Sequence, residues 1–156
     1  MPPIPNCSGQ CSYSQNKEWL DANILPYIIT YKSAKQCSSS VNNQLSCIYL
    51  SGGDSFSFMI DGNGADIVYC VNCDVALRGP KPSPRDTFIF QYYKIQQRNE
   101  RAGKNFIEPY TYDWNGSVSH LKSHSRYGCY KGSASYNYCA KYIQLNNWEI
   151  PKDYPW

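Results

Sequence analysis

Ser55-Phe56-Ser57-Phe58-Met59-Ile60-Asp61-Gly62-Asn63-Gly64-Ala65-Asp66-Ile67-Val68-Tyr69 is the stretch that decides the fold class. Polar and apolar residues alternate at its start, which is the period of a strand with one buried face. Asp61-Gly62-Asn63-Gly64 supplies the residues of a tight turn, and the apolar run from Ala65 to Tyr69 returns. The segment predicts an antiparallel hairpin. Downstream, Asp86-Thr87-Phe88-Ile89-Phe90-Gln91-Tyr92-Tyr93 is rich in aromatic and β-branched residues and predicts another strand. Residues 94–104 are charged and read as a solvated connection to a strand near Phe106-Ile107. Upstream, Trp19, Leu20, Ile24 and Leu25 fall at helical spacing, followed by Tyr27, Ile28 and Tyr31. This predicts a helix over 16–35 that breaks or restarts at Pro26. Residues 1–15 read as an irregular N-terminal arm. The expected fold is α+β: an antiparallel β-sheet with a helix packed on one face and disulfide-stapled loops. No internal repeat or long linker divides the chain, so 1–156 is read as one domain.

The chain has eight cysteines among 156 residues, an even number falling in close pairs. That predicts a disulfide framework and an oxidising compartment. Cys37–Cys47 and Cys129–Cys139 are the expected bridges, because each encloses a short polar loop beside a regular element. Cys7, Cys11, Cys70 and Cys73 pair as Cys7–Cys11 with Cys70–Cys73, or cross-pair. A net charge of +3 does not point to nucleic acid. No stretch is apolar enough to span a membrane, and Met1 to Pro5 has neither the basic start nor the hydrophobic centre of a signal peptide. Set beside the cysteines, this reads as the soluble part of a longer precursor.

Few patterns carry chemistry. Cys70-Val71-Asn72-Cys73 has the spacing of a zinc knuckle or redox pair, with Cys7 and Cys11 as two further ligands. The oxidised framework favours disulfides instead. Asp61, Asn63 and Asp66 place three oxygen side chains within six residues, as a calcium loop does, but the glycine and glutamate of an EF-hand are missing. A plain hairpin turn is the favoured reading, and no cofactor is expected. His120 and His124 lie four apart without the glutamate of a zinc protease, and read as exposed loop residues. Asn6 and Asn115 match a glycosylation pattern. No nucleophile motif, phosphate loop or dinucleotide fingerprint is present, and the chain is read as not an enzyme.

Residues 110–138 combine tyrosine with serine, glycine and asparagine. Binding loops use this palette, because tyrosine gives rigid amphipathic area and the small polar residues adapt. Tyr110, Tyr112, Trp114, Tyr127, Tyr130 and Tyr136 are therefore the candidate binding surface. A solvated loop with structural tyrosines is the blander alternative.

The last residues, Cys139-Ala140, Ile143, Trp148 and Asp153-Tyr154-Pro155-Trp156, resemble the end of bacterial type IV pilin-like proteins, also known as type II secretion pseudopilins. Further short matches are Leu25-Pro26-Tyr27, Asp61-Gly62, Asp74-Val75, Gly79-Pro80 and the block Arg85-Asp86-Thr87-Phe88-Ile89-Phe90. Together they span roughly residues 19–156. Two departures stand out: Ala76-Leu77-Arg78 replaces the family's Asn-Gly, and this chain does not contain the pilin N-terminal helix.

The resemblance implies the globular domain of a structural subunit. Its partners would be other pilin or pseudopilin subunits, and the inner membrane through a helix that is not in this chain. Its place would be the cell surface or an extracellular filament, membrane-anchored before assembly. The alternative is a secreted binding module, adhesin- or lectin-like, taking a surface ligand at 110–138. For the aromatic tail, Trp148, Tyr154 and Trp156 are expected to pack against the domain as a clasp.

Overall fold

The computed structural model describes residues 4–28, 31–37, 45–62, 64–72, 83–93 and 106–155, with the backbone only for 31–37 and Leu45. Helix α1 spans Tyr13–Asn23. Ser12 opens it with a reciprocal cap: its hydroxyl accepts from the Gln15 N–H at 3.4 Å, and the Gln15 side-chain oxygen accepts from the Ser12 N–H at 3.0 Å. Asn16, Trp19 and Leu20 form its buried stripe. Ser12→Ala is expected to cost about 0.5–2 kcal/mol, read from the urea midpoint at constant m-value.

The predicted helix over 16–35 is corrected in two ways. It begins at Tyr13, inside the predicted arm, and it ends at Asn23. Pro26 stands in a single 3-10 turn, Leu25–Tyr27, after which Ile28 is extended. Within the predicted helix, Tyr31–Cys37 is instead strand β1. The strand has a partner, β2 at Leu45–Leu50, so pairing overrides the local helical pattern.

The hairpin is present as strands β3, Ser55–Ile60, and β4, Gly64–Cys70, with Ile60 opposite Ala65 and Met59 opposite Asp66. A Cβ on Gly64 would stand 2.2 Å from the Tyr92 carbonyl oxygen, so only glycine lets β4 approach its neighbour there. That neighbour, β5, is Thr87–Tyr93. The strand expected at Phe106-Ile107 falls two residues later, as β6 at Glu108–Pro109. The six strands among the described residues lie in sequence order, and every adjacent pair is antiparallel.

Successive side chains of a strand point to opposite faces. Along β4, Ala65 and Ile67 join a core with Trp19 and Leu20 of α1, Ile48, Phe58, Ile60 and Tyr92. Val68 and Cys70 join a second core on the other face, made by residues 110–154. The expected helix-on-sheet arrangement is therefore present, and a second layer covers part of the opposite face. That layer contains helices α2, Val118–Ser123, and α3, Cys139–Leu145.

The arm is irregular over residues 4–12 but docked. Ile4 is buried, the Cys11 N–H donates to the Ile60 carbonyl at 2.9 Å, and Gln10 bridges to Asp61. Disulfides join Cys7 to Cys11 and Cys129 to Cys139. Cys47 and Cys70 are also disulfide-bonded. Their expected partners, Cys37 and Cys73, lie outside the described side chains. Among the described residues no helix is long and apolar enough to cross a membrane.

Candidate functional site

The layer over β5 and β6 is an aromatic box. Tyr110, Trp114, Tyr127 and Tyr138 are buried in it around Leu121, and the Cys129–Cys139 bridge closes it. The Tyr110 and Tyr127 ring centroids are 5.4 Å apart, and Tyr112 meets Tyr127 edge-on at 6.0 Å. The buried Tyr138 hydroxyl donates to the Tyr112 carbonyl. Burial raises the Tyr138 phenol's pKa, and nearby Asp113 and Tyr127 add to the shift. It therefore remains a neutral donor.

This corrects the candidate binding surface. Tyr110, Trp114 and Tyr127 are core residues. Tyr112, Tyr130 and Tyr136 are half-buried. Two of these are held internally: Tyr130 donates to the Ser125 carbonyl at 3.3 Å, and the Tyr136 hydroxyl accepts from the Gly132 N–H at 3.2 Å. The physical reason is ring size. Each ring has enough apolar area to build a core, and where a polar tip is held, as in Trp114, Tyr130 and Tyr136, its partner is the backbone.

His120 and His124 are also corrected. They sit on the last turn of α2 and at its C-terminal cap, half-buried, with ring centroids 4.9 Å apart in edge-to-face contact. His120 Nδ1 accepts from the Asn115 N–H at 3.2 Å. His124 Nδ1 accepts from the N–H groups of Arg126 at 3.2 Å and Tyr127 at 3.1 Å. A neutral imidazole that accepts at Nδ1 carries its proton on Nε2. Both Nε2 atoms are thus donors rather than metal ligands. Among the described residues no group of three His, Cys, Asp or Glu side chains converges.

At the turn weighed as a calcium loop and read as a plain hairpin turn, Asp61 Oδ1 accepts from the Gly64 N–H at 2.8 Å, closing the hairpin. Asp66 accepts from Gln91 on β5 at 3.2 Å. Asn63 lies outside the described residues. Each described carboxylate is used within the sheet. Cys7, Cys11 and Cys70, oxidised to disulfides, are not the thiolates that a zinc site needs.

The tail divides the expected clasp in two. Tyr154 is buried, and its hydroxyl donates to the Pro84 carbonyl at 2.6 Å. Burial raises the pKa of this phenol as well. Asp153 accepts from the Tyr142 hydroxyl at 2.5 Å and pairs with Lys122. These two donors hold its carboxyl below the usual range, with Lys122 the larger influence. Trp148, by contrast, is 59% exposed, and Trp156 lies outside the described residues.

The exposure of Trp148 is built in. Asn147 and Trp148 both have positive φ, +57° and +64°. The Trp148 N–H donates to the Ile143 carbonyl at 3.0 Å, and the Asn146 side chain donates to the Glu149 carbonyl at 3.0 Å. A bulky residue in the left-handed region is uncommon, and this one is braced there. Leu145 and Ile150 are exposed beside it in sequence. A second apolar feature lies on the α1 side of the sheet, a groove of about 300 Å³ lined by Ile24, Ile28, Phe56, Phe58, Ile67, Phe90 and Ile107.

A profile of the group described as "Family of unknown function (DUF6613)" matches residues 6–156. The chain belongs to this family. The match runs from the docked arm to the end of the tail, so both layers and the aromatic box fall within it. Among curated proteins and among solved structures, none matches the chain.

Proposed function

We propose that this member of the family is a structural subunit of an extracellular filament, of the type IV pilus or type II secretion pseudopilus kind. One observation carries the reading: the tail holds Leu145, Trp148 and Ile150 out to solvent on a braced turn. Exposed large apolar residues on a hydrogen-bonded turn suit a protein contact, because little loop freedom is lost on docking. The meander sheet, the helix on one face and the disulfide-closed C-terminal layer agree with the fold that the pilin resemblance implies. In this reading neighbouring subunits cover the tail. A membrane helix outside this chain anchors the subunit before assembly, and the domain works at the cell surface without catalysis or cofactor. Burial of Tyr110, Trp114 and Tyr127 removes half of the surface on which the binding-module alternative rested.

The test is mass spectrometry of filaments sheared from the native cells. The chain is expected in the sheared fraction, joined to a hydrophobic N-terminal segment. The double variant Trp148→Ser, Ile150→Ser should lower its yield there while the purified domain keeps its melting temperature. Recovery of the wild-type chain solely as a free secreted monomer would reject the filament reading.

A further inference from the structure

We propose that His124 is an acid-sensitive latch, holding the 124–128 turn closed while its imidazole is neutral and releasing it when the ring takes up a proton. The turn has three internal bonds. The Gly128 N–H donates to the His124 carbonyl at 2.9 Å, and the Arg126 and Tyr127 N–H groups donate to Nδ1 of the same residue. There is no room for a larger residue at its end, since a Cβ on Gly128 would lie 2.6 Å from the His124 carbonyl oxygen. Protonation puts a hydrogen on Nδ1. The ring then points a donor at two donors, and the N–H groups of Arg126 and Tyr127 lose their acceptor. The bond from buried Tyr127 is the costly one to lose, because its N–H has less access to water than that of exposed Arg126.

The turn lies where its opening would be felt. Its ring stacks on Tyr127 at 4.9 Å and meets Tyr138 edge-on at 5.4 Å. The Tyr127 carbonyl accepts from the Tyr138 N–H at 2.9 Å, and the Cys129 N–H donates to the Leu121 carbonyl at 2.7 Å. These bonds tie α2 to the start of α3. Releasing the turn loosens the aromatic box from one side, while the Cys129–Cys139 bridge keeps its two ends joined.

The titratable and charged groups facing His124 come from every adjoining segment. His120 lies on α2, Asp113 in the turn before it, and Tyr138 at the start of α3. Tyr127 lies within the 124–128 turn itself, with the Arg126 guanidinium 5.2 Å from its ring centroid. Burial is the main cause that holds His124 below the ordinary imidazole value of 6.5. Charge on His120 adds to it, and the opposing pull of Asp113 does not cancel them. The folded state therefore binds this proton less well than the unfolded state. The stabilisation is complete above about 6.5 and is lost as pH falls through the folded value. Asp54 and Asp153, whose carboxyls are held below 3.8, titrate at lower pH than this window.

Two measurements on the full chain test the latch. In an NMR titration the His124 ring should protonate below pH 6.5, and the amide signals of Arg126, Tyr127 and Gly128 should move with the same midpoint. Amides that stay still through the ring's titration would overturn the proposal. In the second, His124→Asn keeps an acceptor near the Nδ1 position but cannot protonate. Between pH 8 and 5 the wild type should lose melting temperature and the variant should lose much less. Below the folded value, each unit by which the pKa is lowered multiplies the wild-type unfolding constant about tenfold. Equal slopes in the two proteins would also overturn it. The NMR result decides alone if the variant does not fold.

Discussion

Tyr138→Ala will cost about 3–5 kcal/mol, the range for truncating a large aromatic residue in a core. Tyr138 is fully buried and its ring packs near Tyr110, Tyr127 and His124. The alanine would leave a cavity as well as removing contacts. Domains are stable by only about 5–15 kcal/mol, so this one change takes a large share. Tyr138→Phe separates the ring from the hydroxyl. It keeps the packing and removes only the donor to the Tyr112 carbonyl, for about 0.5–1.5 kcal/mol. Urea unfolding of both variants checks the pair. Equal, small losses would mean that the box is not a core and that Tyr138 behaves as a surface residue.

What could be read in advance follows from how local each signal is. The β3–β4 hairpin carries its own instructions: alternation before the turn, Asp61-Gly62-Asn63-Gly64 in it, and an Asp61 side chain that closes it. Strand β5 is as plain, from its aromatic and β-branched run. Strand β1 is not, because Tyr31–Cys37 follows a helical apolar pattern and gains its strand character from pairing with Leu45–Leu50. Helices α2 and α3, at six and seven residues, are too short for apolar periodicity to stand out. Helix α2 is instead held at its start by a local cap, the Ser117 hydroxyl accepting from the His120 N–H at 3.1 Å.

The aromatic box shows a different limit. Tyrosine among serine and glycine describes a binding loop and a small tyrosine-built core equally well. Composition cannot say which side of a ring meets the sheet. The position of Tyr127 and Tyr138 beside the bridged Cys129 and Cys139 was the available clue, since residues next to a disulfide are drawn toward whatever it closes. The two histidines were misplaced for the same reason. Their Nδ1 partners are backbone N–H groups that become neighbours only when the turns at 115–117 and 124–128 form.

Tyr154→Ala and Trp148→Gly will have very unequal effects, although both residues belong to one aromatic tail. Tyr154 is 4% exposed, and its hydroxyl reaches the Pro84 carbonyl seventy residues away in sequence. Its truncation removes a buried ring and leaves a buried acceptor unpaired, for a loss of about 3–5 kcal/mol. Trp148 is 59% exposed, so its removal forfeits less hydrophobic free energy than that of Tyr154. It also stands at φ +64°, where a non-glycine residue costs about 1–2 kcal/mol. Glycine relieves that cost and gives part of it back as unfolded-chain entropy. The domain should therefore be as stable with Trp148→Gly as without it, or more so, as thermal unfolding at one pH would show. A chain that keeps a strained, exposed tryptophan at the expense of stability keeps it for something outside its own core. If Trp148→Gly instead destabilises the isolated domain as much as Tyr154→Ala, the tryptophan is an internal anchor, and the subunit contact must be sought elsewhere.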